Sequence, residues 1–454
     1  MGNAINAGDT AFMLIATALV MFMTPGLALF YGGMVRSKNA LGTVMQSFIA
    51  LGIVSVLWIL FGYSLAFGPD KFGLIGGLKY LGLRGVGSAP NAALAPSIPQ
   101  TLFMAYQLMF AIITPALISG AFAERMKFKG YLLFIVLWTS IVYFPVAHWV
   151  WAPGGWIRSL GALDFAGGTV VHVNAGIAAL AAALYMGKRK GFGIEAHLPH
   201  NVPMTLLGAA ILWFGWFGFN AGSALSAGSL AASAFIATQI AAATATLGWV
   251  VAEWLKAGKP TTLGAATGAV AGLVAITPAA GFVGPLSAAA IGLAAGAICY
   301  FAVGLKYRFG YDDSLDVVGC HLVGGIVGSL ATGIFASKAI NPAGANGLLF
   351  GNPSLLLIQL AAVAATMAFG FLLSLALLKV TDVLVGLRVS EEDEDTGLDL
   401  SQHSESAYSF GGGEMALAPA GAVMNAAHPV DAALKEHAAI LAEAAEKMAA
   451  GNER

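Results

Sequence analysis

Long apolar runs, broken by short clusters of glycine, proline and charge, organise most of the chain. The breaks divide it into eleven segments, at about 10–33, 44–67, 100–123, 129–150, 168–187, 203–221, 232–255, 262–278, 285–305, 317–336 and 354–386. A helix needs ~20 apolar residues to cross the hydrocarbon layer of a bilayer, and most of these segments meet that length. Glycine is frequent inside them, as in "GGIVGSLATG", and small residues let helix backbones approach closely in lipid. The pattern predicts an all-α polytopic membrane protein.

Five segments precede the long basic loop at 188–202 and five follow it, with one left over. An odd number in each half makes the halves inverted relative to the membrane. The pattern therefore predicts an inverted five-helix repeat plus one extra helix. Sites in such repeats lie near the midplane, where the halves meet.

Composition agrees with lipid as solvent: of 454 residues, 58% are hydrophobic and only 10% charged. Soluble domains carry about 25% charged residues. The formal net charge of −1 hides a division. Residues 1–390 carry 19 Lys and Arg against 10 acids, while 391–454 carry 13 acids and 3 bases. The acidic C-terminal tail reads as solvated, mobile or partner-binding. Twelve bases fall in alternate loops: Arg36, Lys38, Arg125, Lys127, Lys129, Lys188, Arg189, Lys190, Lys256, Lys259, Lys306 and Arg308. The other loops hold five, Lys71, Lys79, Arg84, Arg158 and Lys338. Positive loops stay in the cytoplasm, which predicts an outside N-terminus and a cytoplasmic tail. "MGNAINAGDT" has no basic n-region, so the first run reads as a retained span. Cys299 and Cys320 lie in apolar segments and read as inert hydrophobes.

Two histidines interrupt the apolar pattern. His172 follows Asp164 by eight residues in "DFAGGTVVHVNAG", and His321 follows Asp313 by eight in "DDSLDVVGCHLVGG". The same spacing recurs at equivalent places in the two halves. An imidazole within a span is costly and marks a pathway or relay by default; the alternative is a neutral core histidine bonding across two helices. No metal-ligand spacing surrounds either one, so neither a metal nor a cofactor is expected. Apolar surroundings favour the uncharged ring, and a neutral pair suits a small, nearly neutral permeant. Asp164 and Asp313 read as helix N-caps; alternatively Asp164 orients groups that hold a cation at the outer mouth.

Three aromatic clusters, "HWVWAPGGW", "WFGWFGFNAGS" and "AYQLMFAIIT", fall at one depth on the outer side. They read as membrane-interface residues or as a cage for a small cation. No nucleophile–base pair, phosphate loop or nucleic-acid motif accompanies them, so a membrane enzyme is not expected.

At these residues the chain resembles the ammonium transporter (Amt/Mep/Rh) family, most closely its bacterial Amt branch. The resemblance is carried by "MTPGLALFYGGMVRSKN", "FAIITPALISGAFAERMKF", "GALDFAGGTVVHVNAG", "WFGWFGFNAGSAL", "GAVAGLVAITPAAG" and "DDSLDVVGCHLVGGIVGSLATGIF", and covers the body to about residue 390. It implies eleven spans, a homotrimer in the bacterial inner membrane and no enzymatic activity. It implies that Phe110, Trp151 and Ser223 recruit ammonium, or methylammonium as an analogue, with Asp164 shaping the site. It implies a gate of Phe110 and Phe219, and a pore lined by His172, His321 and Trp216, with Asp313 the second-half aspartate. Gln107 and Thr277 match expected neighbours. It also implies a trimeric PII-type regulator on the cytoplasmic face. The tail stretch "GLDLSQHSESAY" is similar to the family's C-terminal segment, whereas the sequence beyond Tyr408 departs from it. There "DAALKEHAAILAEAAEKMAAGNER" has the spacing of an amphipathic helix near 431–450. A sensor that binds ammonium and reports through this tail is the second functional class.

Overall fold

The computed structural model describes residues 4–408. The expected amphipathic helix near 431–450 lies outside them.

Among the described residues, ten helices are long and apolar enough to cross a membrane. They are α1 (Ala7–Met34), α2 (Ser37–Phe67), α3 (Gln100–Ala121), α4 (Phe128–Ser159), α5 (Gly168–Met186), α6 (Val202–Ala224), α7 (Ser229–Ala257), α9 (Pro285–Phe309), α10 (Val318–Phe335) and α11 (Pro353–Val385). Between α7 and α9 runs a shorter apolar helix, α8 (Thr262–Ile276). Its 15 residues rise only about 22 Å, against a hydrocarbon layer of ~30 Å. A buried turn, residues 277–283, follows it. A two-stranded hairpin, β1 (Asp70–Lys71) with β2 (Ile75–Gly76), follows α2.

The distribution of polarity suits lipid. Large apolar side chains such as Ile15, Phe48, Phe214, Leu247 and Leu372 are exposed, while Thr24, Gln46, Ser64, Thr114, Asn174 and Asn220 are buried. Burying a polar group is costly without a partner, and Ser64, Thr114 and Asn220 find one, whereas both polar side-chain atoms of Asn174 have none. Ser64 Oγ donates to Gly77 O at 2.8 Å and Asn220 Nδ2 to Thr238 Oγ1 at 2.9 Å.

Glycine decides which helices touch. A Cβ on Gly208 of α6 would meet Phe30 N of α1 at 2.2 Å. One on Gly292 of α9 would meet Ala241 O of α7 at 2.2 Å, and one on Gly176 of α5 would meet Leu322 N of α10 at 2.3 Å. The first span thus pairs with the sixth and the fifth with the tenth, at backbone contact. At the α5–α10 crossing the first turn of each helix packs on the body of the other, so the two run antiparallel and the crossing holds their N-terminal turns together.

Those first turns are π-helical: Gly168–Val173 in α5 contains His172, and Val318–Leu322 in α10 contains His321. Such wide turns recur at functional sites. They leave no distinct mark in the amino-acid pattern, and the sequence reading did not foresee them.

The acidic segment that begins at 391 does not start out as a solvated tail. Helices α12 (Glu391–Thr396) and α13 (Leu398–His403) pack on the body, and the compact unit runs to Tyr408. Glu394 is buried, bridging Arg388 Nη2 at 2.6 Å and the Lys190 amide at 3.0 Å. Asp399 accepts the amides of Leu41 at 2.9 Å and Gly42 at 2.7 Å, capping the start of α2. Opposite charges on distant loops satisfy what composition alone shows as repulsion.

Candidate functional site

An open cavity of about 470 Å³ lies at the end of the molecule where α3 begins and α4 ends. Phe103, Gln107, Phe110, Trp151, Asp164 and Ser223 are among the side chains that line it. The three aromatic clusters of the sequence therefore do converge here.

Trp151 closes α4. Its indole Nε1 donates to Asp164 O at 3.1 Å, and its ring stands edge-on to Phe110 with centroids 5.6 Å apart. Gly167, at φ 120°, makes the turn that brings Asp164 back over α5; a Cβ there would also strike Val171 at 2.6 Å. Asp164 then accepts four amides: Gly167 and Gly168 on Oδ1 at 2.8 and 2.7 Å, Thr169 and Val170 on Oδ2 at 2.8 and 3.2 Å. Burial pushes its carboxyl above the usual range, and the backbone donors pull against that. Ser223 Oγ donates to Phe219 O at 2.9 Å and lies 3.2 Å from the Tyr106 hydroxyl, which also contacts Gly218 O and Phe219 O. Tyr106, which the sequence reading did not single out, thereby fixes Ser223; one Tyr in an aromatic-rich span carries no separate signal.

Below the cavity the path is closed by rings. Phe110 and Phe219 are both buried, with centroids 4.4 Å apart. Phe219 stacks on His172 at 6.0 Å, Trp216 stacks on it at 5.5 Å, and His172 stacks on His321 at 5.3 Å. Trp216 is held by Nε1 donating to Thr277 Oγ1 at 2.9 Å. Trp216 and Phe219 are three residues apart on α6 and so share a face. The histidine Nδ1 atoms lie 3.2 Å apart, and His172 Nε2 has no hydrogen-bond partner. The void beside the pair is about 10 Å³, near the smallest space that holds one water. Apart from the two imidazoles and the Trp216 indole, its lining is hydrocarbon and thioether.

Asp313 is not a mirror copy of Asp164. Its Oδ2 accepts one amide, Val318 at 2.7 Å, and its buried Oδ1 has no hydrogen-bond partner. Burial pushes its carboxyl up to about 6, with Lys306 opposing and Asp316 adding to the shift. It lies toward the opposite end from Asp164, where Lys306, Ser314 and Asp316 line a second cavity of about 510 Å³. The bases of the alternate loops gather at that end. Glu124 joins Arg36 at 2.9 Å and Arg189 at 3.2 Å, and Asp312 joins Arg189 at 2.9 Å. Burial pushes the Glu124 and Asp312 carboxyls up, but their arginine partners outweigh it and hold both below the usual range.

Two further groups escaped the sequence reading. Arg158 lines the aromatic cavity and donates to Trp151 O. His148 is buried, with Nδ1 2.9 Å from Ala66 O and Nε2 2.9 Å from Asp70 Oδ1, and so ties α4 to the hairpin.

The Ammonium Transporter Family matches residues 11–408. The chain is 54% identical to an ammonium transporter of Bacillus subtilis over 402 residues, covering 88% of this chain and 98% of that one. It is 52% identical to ammonium transporter Amt1 of Archaeoglobus fulgidus over 401 residues, covering 88% and 99%. Among solved structures it resembles Mep2 of Saccharomyces cerevisiae, with a TM-score of 0.80, 38% identity and coverage of 85% and 91%. It also resembles a Sensor Amt Protein, with a TM-score of 0.81, 30% identity and coverage of 87% and 98%. With a family match that spans all but the ends of the chain, and helices built to cross a membrane, this protein belongs to the ammonium transporter family.

Proposed function

We propose that this chain passes ammonium across the bacterial inner membrane, taking it as a cation at the aromatic cavity and carrying its neutral part past the two histidines. The supporting observation is the unbroken column Trp151, Phe110, Phe219, His172, His321, each ring within 6.0 Å of the next. Aromatic faces attract a cation that has shed part of its water, and the Ser223 oxygen supplies a polar contact. Asp164 acts without touching the permeant, by holding Trp151 and the start of α5.

Below Phe110 and Phe219 no carboxylate lines the void, and an unpaired ion in such surroundings is costly. Ammonium therefore sheds a proton at this gate and ammonia moves on. Potassium, of similar size, has no proton to lose and stays out. The released proton either returns to the cavity or follows through the His172–His321 bond. Eleven crossings, with α8 completing the set, an outside N-terminus and a homotrimer fit this reading. The second cavity, rimmed by Glu124, Arg189 and Asp316, suits a PII-type regulator on the cytoplasmic side.

The test is current in proteoliposomes on an ammonium pulse, with potassium and labelled methylammonium as controls. Ammonium-dependent current supports a path for the proton; uptake without current supports return of the proton to the cavity. Neither current nor uptake would remove the transport reading and favour a sensor.

A further inference from the structure

Only two charged side chains, Arg158 and Asp164, are among those that line the aromatic cavity. Both oxygens of Asp164 are engaged by four amides at the positive end of α5, so its charge is partly offset by the helix terminus. Arg158 takes part in none of the ion pairs among the described residues. A guanidinium keeps its proton at any physiological pH. One of its N–H groups donates to the backbone carbonyl of Trp151, which holds the charge at the wall of the cavity that Trp151 and Phe110 also line. The same bond occupies a carbonyl that would otherwise attract a cation.

We propose that Arg158 sets how tightly the cavity holds a cation: it is a fixed positive charge that opposes the attraction of Trp151 and Phe110, and so keeps the site weakly occupied. The inference rests on the transport reading above. Arg158 is an exposed residue, so the repulsion acts through solvent and is open to screening by salt. At water-like screening, two unit charges ~10 Å apart change occupancy about twofold, and more where the aromatic wall excludes water. The effect falls on any small cation and spares a neutral amine.

The experiment is saturable uptake of labelled methylammonium by the full chain in proteoliposomes. It compares wild type, Arg158→Gln and Arg158→Lys, at ionic strengths of about 0.01 M and 0.15 M set with N-methylglucamine gluconate. Glutamine keeps a donor for Trp151 O and removes the charge; lysine keeps both. The expected result is that the KM of Arg158→Gln falls about two- to fivefold at low salt, that salt lowers the wild-type KM toward it, and that Arg158→Lys follows wild type. KM does not depend on how much protein folds, so a lower yield of a variant leaves the comparison intact. An Arg158→Gln KM that is unchanged or raised, or that keeps the wild-type salt response, would overturn the assignment and leave the transport reading standing. Absence of uptake by wild type would instead overturn that reading, and this one with it.

Discussion

His172 and His321 face each other through like atoms, Nδ1 to Nδ1 at 3.2 Å. Such a bond needs one ring to donate and the other to accept, and the two cannot do the same thing at once. The donor ring leaves its Nε2 as a bare acceptor, and the acceptor ring carries its proton on Nε2. The pair therefore offers the path one acceptor and one donor, and exchanging the two roles takes three coupled moves: a proton gained at the bare Nε2, one passed along the Nδ1–Nδ1 bond, and one released from the other Nε2.

Removing either ring orphans the other. His172→Ala and His321→Ala should each lower ammonium-dependent current by about tenfold or more, the expected cost of a buried polar group left without its partner. The double variant should be little worse than either single one, because the rings act as a unit. Current recorded with ammonium and with potassium checks this. Potassium current in a single variant would instead make the pair a selectivity filter.

Asp164→Asn should weaken both stability and uptake. The amide presents a donor to two of the four N–H groups that the carboxylate now satisfies. Leaving buried N–H groups without an acceptor costs about 1–3 kcal/mol, readable as a lower melting temperature in detergent. The KM for methylammonium should rise as well, because the turn that bonds Trp151 loosens. Reduced melting with an unchanged KM would confine Asp164 to capping.

Gly176→Ala tests the crossing itself. The added methyl meets Leu322 N at 2.3 Å, so backbone has to move. Overpacking of this kind costs about 1–3 kcal/mol. The displaced residue adjoins His321, so uptake should fall further than the loss of folded protein explains. Uptake per folded trimer or monomer, counted after size-exclusion chromatography, measures it.

Acid should release the basic end first. Glu124 and Asp312 have folded pKa values held below their ordinary ones. Their contribution is thus complete above the ordinary carboxylate range and is lost as pH falls through the depressed folded values. Melting temperature should drop steeply below about pH 4 in wild type. Glu124→Gln should melt lower at neutral pH, by an amount equivalent to about 3–5 kcal/mol for breaking a buried pair, and should vary less with acid. Parallel pH curves for the two proteins would count against the cluster as the acid-sensitive element.

The spans and the two histidines were legible because lipid punishes polarity: an imidazole in an apolar run stands out, and so does its Asp-x7-His repetition. The convergence of the three aromatic clusters was legible, as one of two readings, in their shared outer depth; the singling out of Phe110, Trp151, Phe219 and Ser223 within them came through the resemblance, since an aromatic in a membrane span usually only packs. The π turns were hidden because no residue type demands them. The docking of 391–403 was hidden because Lys190, whose amide Glu394 accepts, and Leu41 and Gly42, whose amides Asp399 accepts, lie hundreds of residues away. Asp313 looked equivalent to Asp164 at the level of spacing, yet one bonded amide against four separates them. Arg158 resembled any loop arginine until the cavity placed it.

The antiparallel crossing of α5 and α10 bears on rectification. Along the proposed path each helix brings its histidine to the centre from its own end, so the histidine pair itself has no built-in direction. A preference for inward over outward flow is then not set by that pair. It has to come from the unlike vestibules, aromatic with one arginine at one end and crowded with ion pairs at the other, or from the gradients the cell maintains across them.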